Sequence, residues 1–210
     1  MNYEILHPGL FYFKGVIKDP KRIIDIVEKY EGESMTPWDE WSNKKPTSEE
    51  QAKSYMEPYG YGRSLCGDVA LKEGGEVEYL TKSISDALDE CSSIYIEQMG
   101  IDPSNERNTN YEFVIGKYLP GEARGPHIDC TYDDLEHSFV IYYNSSYTGG
   151  EIVFPKIGIT LKPEAGSIIL FKSMEKQFLH FTNPTTKDSS CKYISPHFWR
   201  MGPSQGYRNR

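Results

Sequence analysis

Cysteine is scarce in this sequence: Cys66, Cys91, Cys130 and Cys191 are the only four in 210 residues, and no two form a CxxC pair. That usage points to reduced thiols and an intracellular, cytoplasmic setting. Long apolar runs are missing too. None approaches the length that crosses a bilayer, and the opening stretch MNYEILHPGL has neither the basic nor the apolar region of a leader peptide. Positive charge is in deficit, with 23 basic residues against 31 acidic for a net charge of −8. This balance opposes the phosphate neutralisation that drives nucleic-acid binding, so nucleic acid and anionic membrane are set aside as partners, whereas a basic peptide is electrostatically easier. Repeats, low-complexity tracts and linkers are also absent. A chain of 210 residues suits a single domain over 1–210 with one fold holding any site.

What is present falls into two textures. Residues 1–109 read as a helical and loop-rich support. Asp19-Pro20 followed by KRIIDIVEKY is an N-cap, a first-turn proline and an amphipathic helix with Ile23, Ile24, Val27 and Tyr30 on one face. A polar, aromatic stretch over 34–67 (TPWDEW, SNKKPTSEEQ, EPYGYG) has no sustained period and reads as a long loop. A longer helix fits 76–99, where Val77, Leu80, Ile84, Leu88, Cys91 and Tyr95 recur at helical steps before Gly100. After residue 110 the texture becomes eight short β-rich runs: YEFVIGKYL, HIDC, SFVIYYN, EIVF, GITLK, SIILF, FLHFT and KYISPHFW. Eight such runs predict a mainly β fold over 110–200, two facing sheets in a jelly roll, with both helices against one outer face.

The stretch GPHIDC at 125–130 carries the first chemical signal. In an extended strand residues i and i+2 share a face, so His127 and Asp129 project together while Ile128 and Cys130 turn away. An imidazole and a carboxylate so placed are two-thirds of a two-histidine, one-carboxylate iron site, which needs one more histidine and leaves positions open. Of the five histidines, His7 sits before a proline and His137 lies in the acidic run YDDLEHS, which reads as loop. His180, in a strand-like FLHFT, is favoured over His197.

The order His127-x-Asp129, GGEIVFP, KPEAGSIILF, His180 and KYIS resembles the iron(II)- and 2-oxoglutarate-dependent dioxygenases of the prolyl-4-hydroxylase type, over roughly 112–200. The resemblance implies a double-stranded β-helix (jelly roll, cupin-like) core. It makes His127, Asp129 and His180 the catalytic iron ligands, Lys192 the cation for the distal carboxylate of 2-oxoglutarate and Tyr118 a hydroxyl assisting it. Trp199, offset by a residue, and Tyr142 become the substrate-side candidates. It also implies Fe(II), 2-oxoglutarate and O2 as reactants, ascorbate as an accessory, release of succinate and CO2, and hydroxylation of a peptidyl residue, proline first, in a peptide or protein substrate rich in proline. Related halogenases replace the carboxylate by a small residue, so Asp129 favours hydroxylation.

Two features depart from that pattern. The spacing of twelve between His180 and Lys192 exceeds the usual one and leaves Lys187 as a rival for Lys192. The acidic DDLEHS stands where relatives acting on prolyl peptides often carry a basic residue, which keeps open a non-prolyl or small-molecule substrate. A non-catalytic metal-binding jelly roll is the further alternative. Cys130 and Cys191 are expected to face away from the site, and GGE serves equally as a tight turn or as a contact. Trp38, Trp41, Tyr55, Tyr59 and Tyr61 either anchor an extended peptide or pin their own loop.

Overall fold

The computed structural model describes residues 1–29, 35–37, 62–65, 75–102, 107–109, 115–129 and 135–201. The first 109 residues, expected to be helical and loop-rich, also contribute five strands: β1 (Asn2–His7), β2 (Leu10–Lys14), β3 (Met35–Pro37), β4 (Gly62–Leu65) and β5 (Arg107–Thr109). Strands β1 and β2 form a hairpin around Pro8 and Gly9, and Gly9 takes the left-handed φ of 86° that such a turn requires. Strands β3 and β4 fall inside the stretch read as a loop; Trp38, Trp41, Tyr55, Tyr59 and Tyr61 lie outside the described residues.

The eight runs expected after residue 110 correspond to β6 (Ile115–Tyr118), a single pairing at His127, β7 (Leu135–Tyr142), β8 (Ile152–Phe154), β9 (Ile159–Leu161), β10 (Ser167–Lys172), β11 (Phe181–Thr182) and β12 (Lys192–Met201). Strands β6, β7, β10 and β12 join one sheet, and β8, β9 and β11 the other. The larger has the order β1-β2-β10-β7-β12-β6-β4-β3, with β5 beside the far end of β12; the smaller has the order β11-β8-β9, and His127 pairs with His180 at its edge. Strand β12 sits at the centre of the larger sheet, its Lys192 opposite Tyr118 of β6 and its Ile194 opposite Tyr142 of β7.

Alternation along the strands builds two cores. Leu10, Tyr12, Tyr118, Val140, Tyr142, Ile169, Phe171 and Ile194 turn inward and meet Ile152 and Phe154 of the smaller sheet, with the Phe154 and Phe171 rings edge to face at 5.3 Å. The other faces of the same strands carry Phe11, Phe13, Phe139, Ile141, Ile168 and Leu170, which pack against two helices.

Those helices are α1 (Pro20–Lys29) and α2 (Glu76–Met99). The expected cap is present, since the Arg22 N–H donates to Asp19 Oδ1 at 3.1 Å. In α1 the buried residues are Ile23, Ile26 and Val27, with Ile24 half-buried at the margin. Leu80, Ile84, Leu88, Cys91 and Tyr95 of α2 are buried as their spacing predicts. Gly100 ends α2 in the left-handed region; its N–H and that of Ile101 donate to the Glu97 and Ile96 carbonyls, a Schellman cap. Glu28 of α1 accepts from Lys117 Nζ of β6 at 2.9 Å and from the Tyr193 hydroxyl of β12 at 2.5 Å. The helix layer is thereby tied to the two strands that carry Tyr118 and Lys192. No helix among the described residues is long and apolar enough to cross a membrane.

Candidate active site

His127 and His180 are joined by reciprocal backbone hydrogen bonds of 2.9 and 3.0 Å, which bring their ring centroids to 4.3 Å. Each ring is also fixed by its own chain. Nδ1 of His127 lies 2.8 Å from the Gly125 carbonyl, and Nδ1 of His180 lies 3.0 Å from the Phe178 carbonyl. A carbonyl can only accept, so each Nδ1 carries the proton and each Nε2 keeps its lone pair for a metal. Asp129 places Oδ1 at 3.5 Å from His127 Nε2, and one ligand atom from each of the three residues lies within 4.8 Å of the others. The Met174 N–H donates to the Asp129 carbonyl at 2.9 Å, fastening that backbone to the turn after β10. Two nitrogens and one carboxylate on one side of a point are a donor set that iron(II) accepts with positions to spare.

The electrostatics keep the donors ready. Burial, followed by the adjacent His180, holds the His127 pKa down to about 3 against the opposing pull of Asp129. The imidazole is therefore neutral at pH 7. Phe171 and Phe154 flank the His180 ring at 4.9 and 5.5 Å and cover it from water.

Lys192 opens on the same inter-sheet space. It is 1% exposed, and its Nζ donates to the Gly150 carbonyl at 2.7 Å. The rings of Tyr118, Tyr142 and Tyr147 surround Nζ at 5.6, 5.4 and 5.4 Å, within cation–π range. Burial pushes the Lys192 pKa down to about 7, with Glu151 partly opposing it. The Tyr142 and Tyr147 hydroxyls are buried without a hydrogen-bond partner among the described residues. An ammonium with donors to spare beside two orphaned hydroxyls is a cradle for an anion, because a buried polar group without a partner is costly.

The glycine pair explains how the chain reaches this cradle. Gly149 and Gly150 have φ of 75° and 71°; a Cβ on Gly149 would meet the Pro184 carbonyl oxygen at 2.4 Å, and one on Gly150 would meet the Tyr147 ring at 2.9 Å. GGE is both a tight passage and, through the Gly150 carbonyl, a contact.

Other expected positions separate by strand parity. Lys192 and Ile194 face inward, so Trp199, an odd number of residues on, faces the helices and packs with His137 and Phe139. The expectation that Trp199 borders the pocket is thereby corrected. His197 shares the outward parity and bonds Ser195 Oγ at 2.6 Å, which leaves His180 as the second histidine. His137, read as a loop residue, is instead buried in β7 against Tyr95 of α2. Of the two candidate lysines, Lys187 is exposed and Lys192 is buried. Cys191 packs at the margin of the helix-side core, as expected; Cys130 lies outside the described residues. His7 lies on β1 with its ring edge to Phe178. Tyr147 was missed because it stands in SSYTGG, which reads as turn punctuation; an aromatic two residues before a glycine pair was the available signal.

No family model and no curated protein matches the sequence. Solved structures do. A viral collagen prolyl hydroxylase from Paramecium Bursaria Chlorella virus-1, in a 2OG complex, aligns over 97% of each chain at 18% identity with a TM-score of 0.59. A prolyl hydroxylase from Trichoplax adhaerens, in complex with a hypoxia inducible factor oxygen degradation domain peptide fragment, covers 92% of this chain and 84% of its own at 14% identity and TM-score 0.64. A Pseudomonas putida prolyl-4-hydroxylase covers 92% and 94% at 17% identity and TM-score 0.58. The chain has the double-stranded β-helix fold. These likenesses extend over nearly its whole length, so the N-terminal strands and helices belong to the shared architecture and not only the β-rich half.

Proposed function

We propose that this chain is an iron(II)- and 2-oxoglutarate-dependent dioxygenase that hydroxylates a peptidyl residue, proline in the first instance, with release of succinate and CO2. The observation that carries the reading is the pairing, in one inter-sheet space, of the His127–Asp129–His180 donor set with the buried Lys192 cradle. A metal-binding module needs the first and has no use for the second.

The residues fit both groups. His127 and His180 would hold iron through Nε2 and Asp129 through a carboxylate oxygen, with both rings oriented by the Gly125 and Phe178 carbonyls. Lys192 would take the distal carboxylate of 2-oxoglutarate, with Tyr118 and Tyr142 lining the same cradle. When bound, iron supplies the activation of O2 that the side chains cannot. The protein's own part is to hold the donors on one side, keep His127 unprotonated, and exclude water with Phe154, Phe171 and Phe178. Ascorbate is the expected accessory reductant, and a cytoplasmic setting agrees with the free thiols of Cys91 and Cys191.

The likeness to a prolyl hydroxylase carrying a peptide fragment supports a peptide substrate, and two further prolyl hydroxylases among the neighbours support proline. The test is a mass gain of one oxygen across proline-rich peptides, proline-free peptides and small metabolites, with iron and 2-oxoglutarate supplied. Modification confined to prolyl peptides is the expected result; modification of another class alone overturns the prolyl assignment while leaving the oxygenase.

A further inference from the structure

Tyr147 has no part in the reading above beyond its neighbourhood to Lys192, yet it is among the most constrained side chains of the cradle. It is 1% exposed, and its hydroxyl is buried with no hydrogen-bond partner among the described residues. Its ring lies 5.4 Å from Lys192 Nζ, equal to the distance of the Tyr142 ring. Its backbone carbonyl accepts from Lys162 Nζ at 2.6 Å, and the same ammonium lies 5.3 Å from the ring centre. The ring also passes close to Gly150, where a single added carbon would stand 2.9 Å from it. Lys162 and Gly150 thus both confine the ring.

A hydroxyl buried without a partner costs more than one left in water unless something binds it. Here two such hydroxyls belong to Tyr142 and Tyr147, whose rings flank one buried ammonium, each 5.4 Å from Lys192 Nζ. A carboxylate has two oxygens and about four acceptor sites, enough for Lys192 and both phenols together.

We propose that Tyr147 is a cosubstrate-binding residue: its hydroxyl donates to the distal carboxylate beside Lys192 and its confined ring closes the end of the cradle, favouring a five-carbon oxo-diacid over a six-carbon one. The inference rests on the dioxygenase reading and names a determinant within its cosubstrate site.

The test is equilibrium binding of 2-oxoglutarate and of 2-oxoadipate to the full-length Mn(II)-loaded protein without O2, measured by calorimetry, with steady-state kinetics in parallel. Tyr147→Phe keeps the ring and removes only the hydroxyl. It is expected to weaken 2-oxoglutarate binding about tenfold or more, with KM rising in step, kcat nearly unchanged and preference for the five-carbon acid retained. Tyr147→Ala removes the closing ring and is expected to narrow or reverse that preference. Binding by Tyr147→Phe within about twofold of the wild type, below the effect of a charged hydrogen bond, overturns the inference and leaves the dioxygenase reading intact. Failure of the wild type to bind 2-oxoglutarate overturns that reading and this inference with it. Should Tyr147→Ala not fold, Tyr147→Phe decides alone.

Discussion

Lys192 donates its ammonium to the carbonyl of Gly150 at 2.7 Å, across 42 residues of chain. The glycine pair and the lysine are therefore one structural unit. Gly150 gives the ammonium its only protein acceptor among the described residues and lets the Tyr147 ring close over it.

That relationship predicts a divergence between stability and binding. A buried ammonium with one carbonyl partner is a poor contributor to folding, and an apolar side chain of similar length removes the desolvation cost. Lys192→Met is expected to melt at or above the wild-type temperature without ligand, yet to lose 2-oxoglutarate affinity by at least about 100-fold. Thermal melts and binding calorimetry on one preparation check both halves. A destabilised variant that still binds contradicts the assignment of Lys192.

The glycine pair can be tested against a control. Gly149 and Gly158 both have positive φ, 75° and 69°, but a Cβ on Gly149 meets the Pro184 oxygen at 2.4 Å while one on Gly158 meets nothing within 4 Å. Gly158→Ala is expected to cost about 1 kcal/mol from backbone conformation alone, and Gly149→Ala roughly 2–4 kcal/mol because overpacking adds to it. Urea denaturation of the two variants measures the difference. Equal losses would mean that the close approach at Pro184 is unimportant.

The candidate site was legible in the sequence through the order of its motifs as much as through local geometry. Strand periodicity put His127 and Asp129 on one face, but the motifs that follow made the pair a candidate metal site, and the same resemblance favoured Lys192 over Lys187, in agreement with the need of a lysine between two sheets for an anion. The same parity, counted from Lys192, places Trp199 on the helix side, so that error lay in carrying over an aromatic position without checking its face. The hairpin β1–β2 was hidden for a different reason. Leu10, Phe11, Tyr12 and Phe13 are all buried because β2 is covered by α2 on one face and by the inter-sheet core on the other. A strand buried on both faces shows no alternation. His137 was obscured by the acidic residues before it, and only pairing with β10 and β12 brings it inside.

Acid sensitivity follows from His197. Burial lowers its pKa from the ordinary value of 6.5 to about 3. The unfolded chain then takes up a proton below pH 6.5 that the folded chain refuses. The stability this neutral imidazole confers is complete above that pH and is lost as pH falls from 6.5 toward 3. Denaturation midpoints of wild type and His197→Gln over this range check the sign: the variant is expected to show the shallower decline. A parallel decline in both would place the acid sensitivity elsewhere.

The metal ligands give the sharpest loss. His127→Ala and Asp129→Ala each remove one donor from a triad whose rings are otherwise held by backbone carbonyls. Both variants are expected to stay folded by circular dichroism, to bind iron at least tenfold more weakly, and to lose turnover. Retained iron affinity in both would move the metal elsewhere.

The central claim, that one inter-sheet space holds a metal and an oxo-diacid for oxidation of a peptide, is tested most directly by succinate formation. The iron-loaded protein is given 2-oxoglutarate under air, with and without a set of proline-rich peptides, and succinate is counted against hydroxylated product. The account predicts peptide-stimulated succinate release matched one to one by oxygen gained on the peptide, and none in Asp129→Ala. No succinate from a wild-type protein that retains iron, whatever the peptide or metabolite offered, would contradict it.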